Sequence, residues 1–151
     1  MALGRAIRKV QNLWAKDNKS TYSHAGIIIN PDGTTYESLW TVKSQNLFKA
    51  YKGSKVLIAG HDSMDMAKFL KGYNLVRDEH DEDFYPFYRL IFHLVPPLAK
   101  LSIGRVVCSE LVAKFLYSVN LFPYYNGCNP DNLHDHIKWA KGWSIVFEGR
   151  I

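Results

Sequence analysis

Tyr22-Ser23-His24-Ala25-Gly26-Ile27-Ile28-Ile29-Asn30-Pro31-Asp32-Gly33-Thr34-Thr35-Tyr36-Glu37-Ser38-Leu39-Trp40 reads as a β-hairpin: a strand over 22–29, a turn, and a returning strand over 34–40. Pro31 presets the first corner of the turn, and Gly33 accepts the positive φ that closes a type I turn with a glycine bulge. That turn fixes the register, pairing Ile29 with Thr34, Ile27 with Tyr36 and Gly26 with Glu37. His24 then lies diagonal to Glu37 on one sheet face, about 7–8 Å away at Cα and within reach of long side chains. Gly26 leaves room for the pair. A slip of one residue would send the two to opposite faces.

Far downstream, Arg105-Val106-Val107-Cys108-Ser109-Glu110-Leu111-Val112 carries a short apolar run into an amphipathic helix that starts on Cys108. Leu111, Val112, Phe115, Leu116 and Val119 share its apolar face. A helix N-terminus gathers positive partial charge and unpaired N–H groups, which favours the thiolate, the reactive form of cysteine. A carboxylate on one imidazole nitrogen fixes the tautomer and frees the other to exchange a proton with a thiol. Catalysis then needs one long-range contact, the start of the Cys108 helix against the His24–Glu37 face. Without that contact Cys108 is an inert core thiol and the hairpin an ordinary surface element.

Outward from these stretches, Ser44 is expected to cap a short helix over Leu47, Phe48 and Tyr51, ended by Gly53. A strand is expected over 55–59, and a helix capped by Ser63 carries Met66, Phe69 and Leu70 and ends near Gly72. Residues 78–83 form an acidic loop without the ligand order of a calcium site, read as a solvated rim. Residues 84–94 read as a helix closed by Pro96-Pro97. Asp131 is expected to cap a last helix through Trp139, and 143–147 to form a final strand. For residues 1–20 a core-packed surface helix, a membrane-surface helix and a short strand over 6–10 all stand. Helices and strands mix without a βαβ rhythm, so the class is α+β, with an antiparallel sheet packed on helices.

At 151 residues and 47% hydrophobic content the chain suits one domain over 1–151. It has no apolar run of transmembrane length. The N-terminal stretch lacks a secretory signal's apolar core and cleavage site, so a cytoplasmic location, or export by another route, is expected. The charge of +5 favours anionic partners without specifying one. The 4 Trp and 9 Tyr invite single-strand nucleic-acid binding, but no recognition module is visible and no specific nucleic acid is expected. The two cysteines, Cys108 and Cys128, read as free thiols, with one bridge the open alternative. Cys128, His134 and His136 do not match a zinc spacing, and the two histidines are placed on the polar side of the last helix. His93 reads as a core residue, and His61 and His80 have no evident partner.

Ser23-His24-Ala25-Gly26-Ile27-Ile28, then Tyr36-Glu37-Ser38, then Val107-Cys108-Ser109-Glu110-Leu111-Val112 resembles the circularly permuted branch of the NlpC-type papain-like cysteine hydrolases, which includes the YiiX/YaeF-like amidases and the lecithin retinol acyltransferase-like enzymes. In that branch the His strand precedes the Cys helix. Asn129-Pro130-Asp131-Asn132-Leu133 resembles the Pro-containing segment that often follows the helix, whereas Gly4-Arg5 departs from the family's Gly-Asp opening. The resemblance implies a permuted papain-like fold, Cys108 as nucleophile, His24 as general base then acid, and Glu37 as the group orienting His24. The Cys108 backbone N–H is the natural oxyanion donor. Tyr22, next to His24 in the chain, is a candidate second donor beside its plainer role as a core aromatic. The implied activity is amide or peptide cleavage through a thioester, on a peptide, muropeptide or acyl-bearing substrate, without metal or organic cofactor. Lipid acyl hydrolysis or transfer on the same triad is the alternative. A basic binding module with an inert thiol is the reading from outside enzymology.

Overall fold

The computed structural model describes residues 21–38, 42–80 and 108–151. In chain order they form β1 (Ile27–Ile28), β2 (Thr34–Ser38), β3 (Val42–Asn46), α1 (Leu47–Ala50), β4 (Lys55–His61), α2 (Met66–His80), α3 (Cys108–Ser118), α4 (Pro130–Trp139) and β5 (Trp143–Arg150). The class is α+β with antiparallel sheets packed with helices. β1, β2 and β3 make one sheet in that order, and β4 pairs with β5 in a second. The readings at 1–20, 39–41 and 81–107, including the helix over 84–94 and His93, lie outside the described residues.

The hairpin keeps the register its turn dictates. Ile27 pairs with Tyr36, and the Ile29 N–H donates to the Thr34 carbonyl at 2.8 Å. Gly33 has φ +85°. A Cβ built on Gly26 would lie 3.2 Å from Glu37 Cβ, so Gly26 does face Glu37. The first strand is much shorter than 22–29: regular pairing begins only at Ile27, one residue past Gly26, a residue that weakens strands.

Several boundaries differ from expectation. Residues 42–46 are a strand, and Ser44 pairs with Tyr36 instead of capping a helix. Asn46 is the cap of α1, its side chain accepting from the Lys49 N–H at 3.2 Å. Asp65, not Ser63, accepts from the Lys68 N–H at 2.7 Å at the start of α2. That helix runs past Gly72 to His80, so residues 78–80 are its last turn and not a loop. Gly72 serves helix packing instead: a Cβ there would sit 2.8 Å from Phe115 Cδ2 and 3.1 Å from the Phe115 carbonyl. Its helix-interior cost of about 0.5–1 kcal/mol accompanies the close approach of α2 to α3. Asn129 caps α4 in a reciprocal box with Asn132, which places Asp131 in the first turn. β4 and β5 extend to His61 and Arg150, because their pairing continues past a bulge between Ile58 and Ala59.

The core joins the first sheet to the helices: Ile27, Tyr36 and Val42 from the strands, Val76 from α2, Leu111, Ala113, Phe115 and Leu116 from α3, and Leu133 from α4. Tyr36 meets Tyr73 edge to face at 5.3 Å, which seats α2 against β2. Lys114 of α3 binds Glu79 and lies 3.1 Å from His80 Nε2, tying α3 to the end of α2. None of the described helices is long and apolar enough to cross a membrane.

Candidate active site

Glu37 sits in the middle of β2 with its side chain 1% exposed. Burying a carboxylate is costly unless partners compensate, and here they do. His24 Nε2 and the Tyr51 hydroxyl both donate to Oε2, while the Thr35 hydroxyl and Gln45 Nε2 donate to Oε1, the last at 2.8 Å. Burial pushes the Glu37 carboxyl up, but the hydrogen bond and charge of His24, with Thr35 and Tyr51, bring it down to about 2. Thr35 lies two residues before Glu37 and so shares its face. Gln45 is in register with Thr35 across β2–β3, and Tyr51 closes α1 as its C-cap residue.

His24 thus meets Glu37 as the hairpin register requires. Its side chain keeps 23% exposure, and its ring lies 5.6 Å from that of Tyr51 at an interplanar angle of 30°. Nε2 is taken by Glu37, which leaves Nδ1 for a thiol. Burial pulls the imidazole down, yet the charge of Cys108, hydrogen bonds with Cys108 and Glu37, and the charge of Glu37 raise it to about 10.

Cys108 is the first residue of α3 and is buried, with 7% exposure. Burial pushes the thiol up, but the His24 charge and hydrogen bond, then the Ala25 and Ser109 backbone N–H groups, outweigh it and hold the thiol below its ordinary range. The three residues singled out in the sequence therefore share one electrostatic site. The next two residues anchor this end of the helix. The Ser109 hydroxyl donates to the Cys128 carbonyl at 2.6 Å, and Glu110 Oε1 accepts from the Gly127 N–H at 2.9 Å. Both side chains are buried, which accounts for a polar pair at the head of an apolar helix.

The second cysteine is different in kind. Cys128 is 0% exposed, and its thiol is pushed up by burial, then by the charges of Glu110 and Cys108. Both cysteines are free. The Tyr22 hydroxyl is engaged elsewhere, donating to Glu148 at 3.1 Å, and burial, then Glu148, raises it to about 12. His136 is not on a solvated face either. Its ring packs on Phe122 at 4.6 Å, and Nε2 donates to the Leu121 carbonyl at 3.0 Å. His61 does have partners, accepting at Nδ1 from the Ser63 N–H at 3.1 Å and contacting the Lys141 carbonyl through Nε2 at 3.2 Å. Among the described residues the ligand-type atoms that gather within 4.8 Å are those of Asp131, His134 and Asp135; Cys128 and His136 are not among them.

A cleft of about 270 Å³ lies between α4 and the second sheet, lined by Thr21, Lys55, Leu57, His134, Ile137, Lys138, Ile145 and Glu148. It does not include Cys108, His24 or Glu37.

Sequence reasoning missed Gln45 and Tyr51. The signal available was modest: a Gln and a Tyr within reach of the hairpin, hidden by the assignment of 44–53 to a helix. Compared with family models, with curated proteins and with solved structures, the chain matches none.

Proposed function

We propose that this chain is a cysteine hydrolase of the circularly permuted NlpC-type papain-like kind, cleaving an amide or peptide bond through Cys108, His24 and Glu37. The observation that carries this reading is an imidazole held at Nε2 by a buried carboxylate, together with a thiol at a helix N-terminus whose pKa that imidazole lowers. His24 holds the Cys108 thiol below its ordinary range and is itself raised, which favours a resting pair with the proton on His24 and the charge on Cys108. The thiolate attacks the carbonyl carbon, a C–S bond forms, and the oxyanion is met by the Cys108 backbone N–H. The imidazolium gives its Nδ1 proton to the leaving amine as the C–N bond breaks, which leaves a thioester. A water then gives a proton to His24 Nδ1 as its oxygen attacks the thioester carbon, and the C–S bond breaks, releasing the carboxylic acid and leaving the Cys108 thiolate beside the His24 imidazolium. Glu37 keeps Nε2 protonated and the ring oriented throughout.

The test uses the intact chain with short peptide amides, muropeptides and acyl esters, read by product release and by intact mass. An acyl adduct on Cys108 from amide substrates, lost in Cys108→Ser and His24→Ala, is the expected result. Turnover of esters alone moves the assignment to acyl-lipid chemistry. Before any substrate is known, alkylation with peptide mapping should label Cys108 at least about tenfold faster than Cys128 at neutral pH, because only a thiolate reacts well. Equal labelling of the two would contradict the proposal, as would salt-sensitive nucleic-acid binding unchanged in Cys108→Ser with no thiol reactivity.

A further inference from the structure

We propose that Tyr51 and Gln45 are positioning residues that decide which member of the His24–Glu37 pair holds the shared proton, and thereby whether Cys108 faces an imidazolium or a neutral ring. This rests on the cysteine-hydrolase reading above. A carboxylate offers about four lone-pair sites, and Glu37 receives four donors: His24 and Tyr51 on Oε2, Thr35 and Gln45 on Oε1. The Gln45 amide has two hydrogens and uses both, reaching Oε1 at 2.8 Å and the Tyr51 hydroxyl oxygen at 3.1 Å. Tyr51 accepts from Gln45 and donates to Oε2, so amide and phenol act as one relay around the carboxylate.

Each of these donors stabilises the anion, and a buried carboxylate stripped of donors binds a proton instead. The available proton is the one on His24 Nε2. Once it moves to Glu37, the ring is neutral, and the Cys108 thiolate loses its cation. Tyr51 is well placed for the task. The Leu47 N–H donates to the Gly33 carbonyl at 2.8 Å, and Asn46 Nδ2 to the Asp32 carbonyl at 3.1 Å, so the short helix ending at Tyr51 is tied to the turn of the same hairpin that carries Glu37. Among the described residues, the titratable groups facing the pair are Cys108 from α3 and Tyr51 after α1. Lys43, in register with Glu37 on β3, is exposed.

The experiment is the pH profile of Cys108 alkylation by iodoacetamide in wild type, Tyr51→Phe, Gln45→Leu and His24→Ala, each verified as folded. Tyr51→Phe keeps the ring and loses only the hydroxyl, and Gln45→Leu tests the same relay from another strand. In both, the rise in reactivity should move up by about one pH unit, which is about tenfold less reactivity on the acid side, with rates converging at high pH where any thiol ionises. His24→Ala should move it further. If His24→Ala shifts the profile while Tyr51→Phe and Gln45→Leu both superimpose on wild type, the positioning role is overturned and the triad stands. If His24→Ala leaves the profile in place, the triad itself is overturned. A purely structural role would lower the amount of folded protein without moving the pH of the rise.

Discussion

Replacing His24 with alanine is expected to lower the alkylation rate of Cys108 at pH 6 by about two orders of magnitude, the drop in thiolate fraction when a thiol returns from a depressed pKa to about 8.5. The wild-type thiol is buried at 7% exposure, and burial alone would make it less acidic than a free thiol. Among the described residues, the His24 imidazolium and the backbone N–H groups of Ala25 and Ser109 work against that. With the ring gone, two neutral donors face a desolvated sulfur. The loss should therefore be largest on the acid side and shrink as pH rises. On the proposed cysteine-hydrolase mechanism, with the imidazolium as acid, hydrolysis should follow a bell: rising through the depressed Cys108 pKa and falling as His24 loses its proton near pH 10. A stopped-flow alkylation series across pH on both proteins checks this, and parallel curves would count against it.

The largest effect on stability is expected at Glu37. Glu37→Ala removes the acceptor that His24, Tyr51, Thr35 and Gln45 share and leaves the part-buried imidazolium without its carboxylate partner. Breaking a buried pair from one side costs about 3–5 kcal/mol. Urea unfolding measures it, with the slope serving as a check on compactness. Glu37→Gln keeps the shape and should cost less. Its amide nitrogen cannot accept, so one side of the site still loses its partners.

The two shifts in this pair act in opposite directions on the pH axis. Glu37 sits at about 2 in the fold against an ordinary 4.5, so its contribution is present above about pH 4.5 and is lost as pH falls toward 2. His24 sits at about 10 against an ordinary 6.5, so its contribution is complete below about pH 6.5 and is lost as pH rises through 10. The contribution of these two groups should accordingly be largest between those two ordinary values, while the lowered Cys108 thiol adds one that grows as pH rises toward 9.0, and Glu37→Gln should flatten the acid side. An acid side unchanged by Glu37→Gln would show that the carboxylate is not the buried anion described.

The hairpin and its register were legible because Asn30-Pro31-Asp32-Gly33 permits few turn geometries and Ile27, Ile29, Tyr36 and Glu37 alternate around it. The Cys108 helix was legible from one apolar face. β3 was not: Val42-Lys43-Ser44-Gln45-Asn46 holds a single apolar residue, because its polar side chains serve Glu37 and the turn instead of the core. The length of α2 was obscured by Gly72, a residue that ends many helices but here admits Phe115. The approach of Cys108 to His24 depends on contacts more distant than any local pattern encodes, among them Ser109 to Cys128 and Glu110 to Gly127. The Glu37 cradle was hidden for the same reason, since Gln45 and Tyr51 act only once β3 and α1 are folded back on the hairpin.

Nitrogen NMR of the His24 ring across pH, in wild type and Cys108→Ser, tests the thiolate–imidazolium pair most directly. A ring still doubly protonated well above neutral pH in wild type, and titrating lower once the sulfur is gone, is the predicted result. A ring already neutral at pH 7 and unmoved by Cys108→Ser would contradict it.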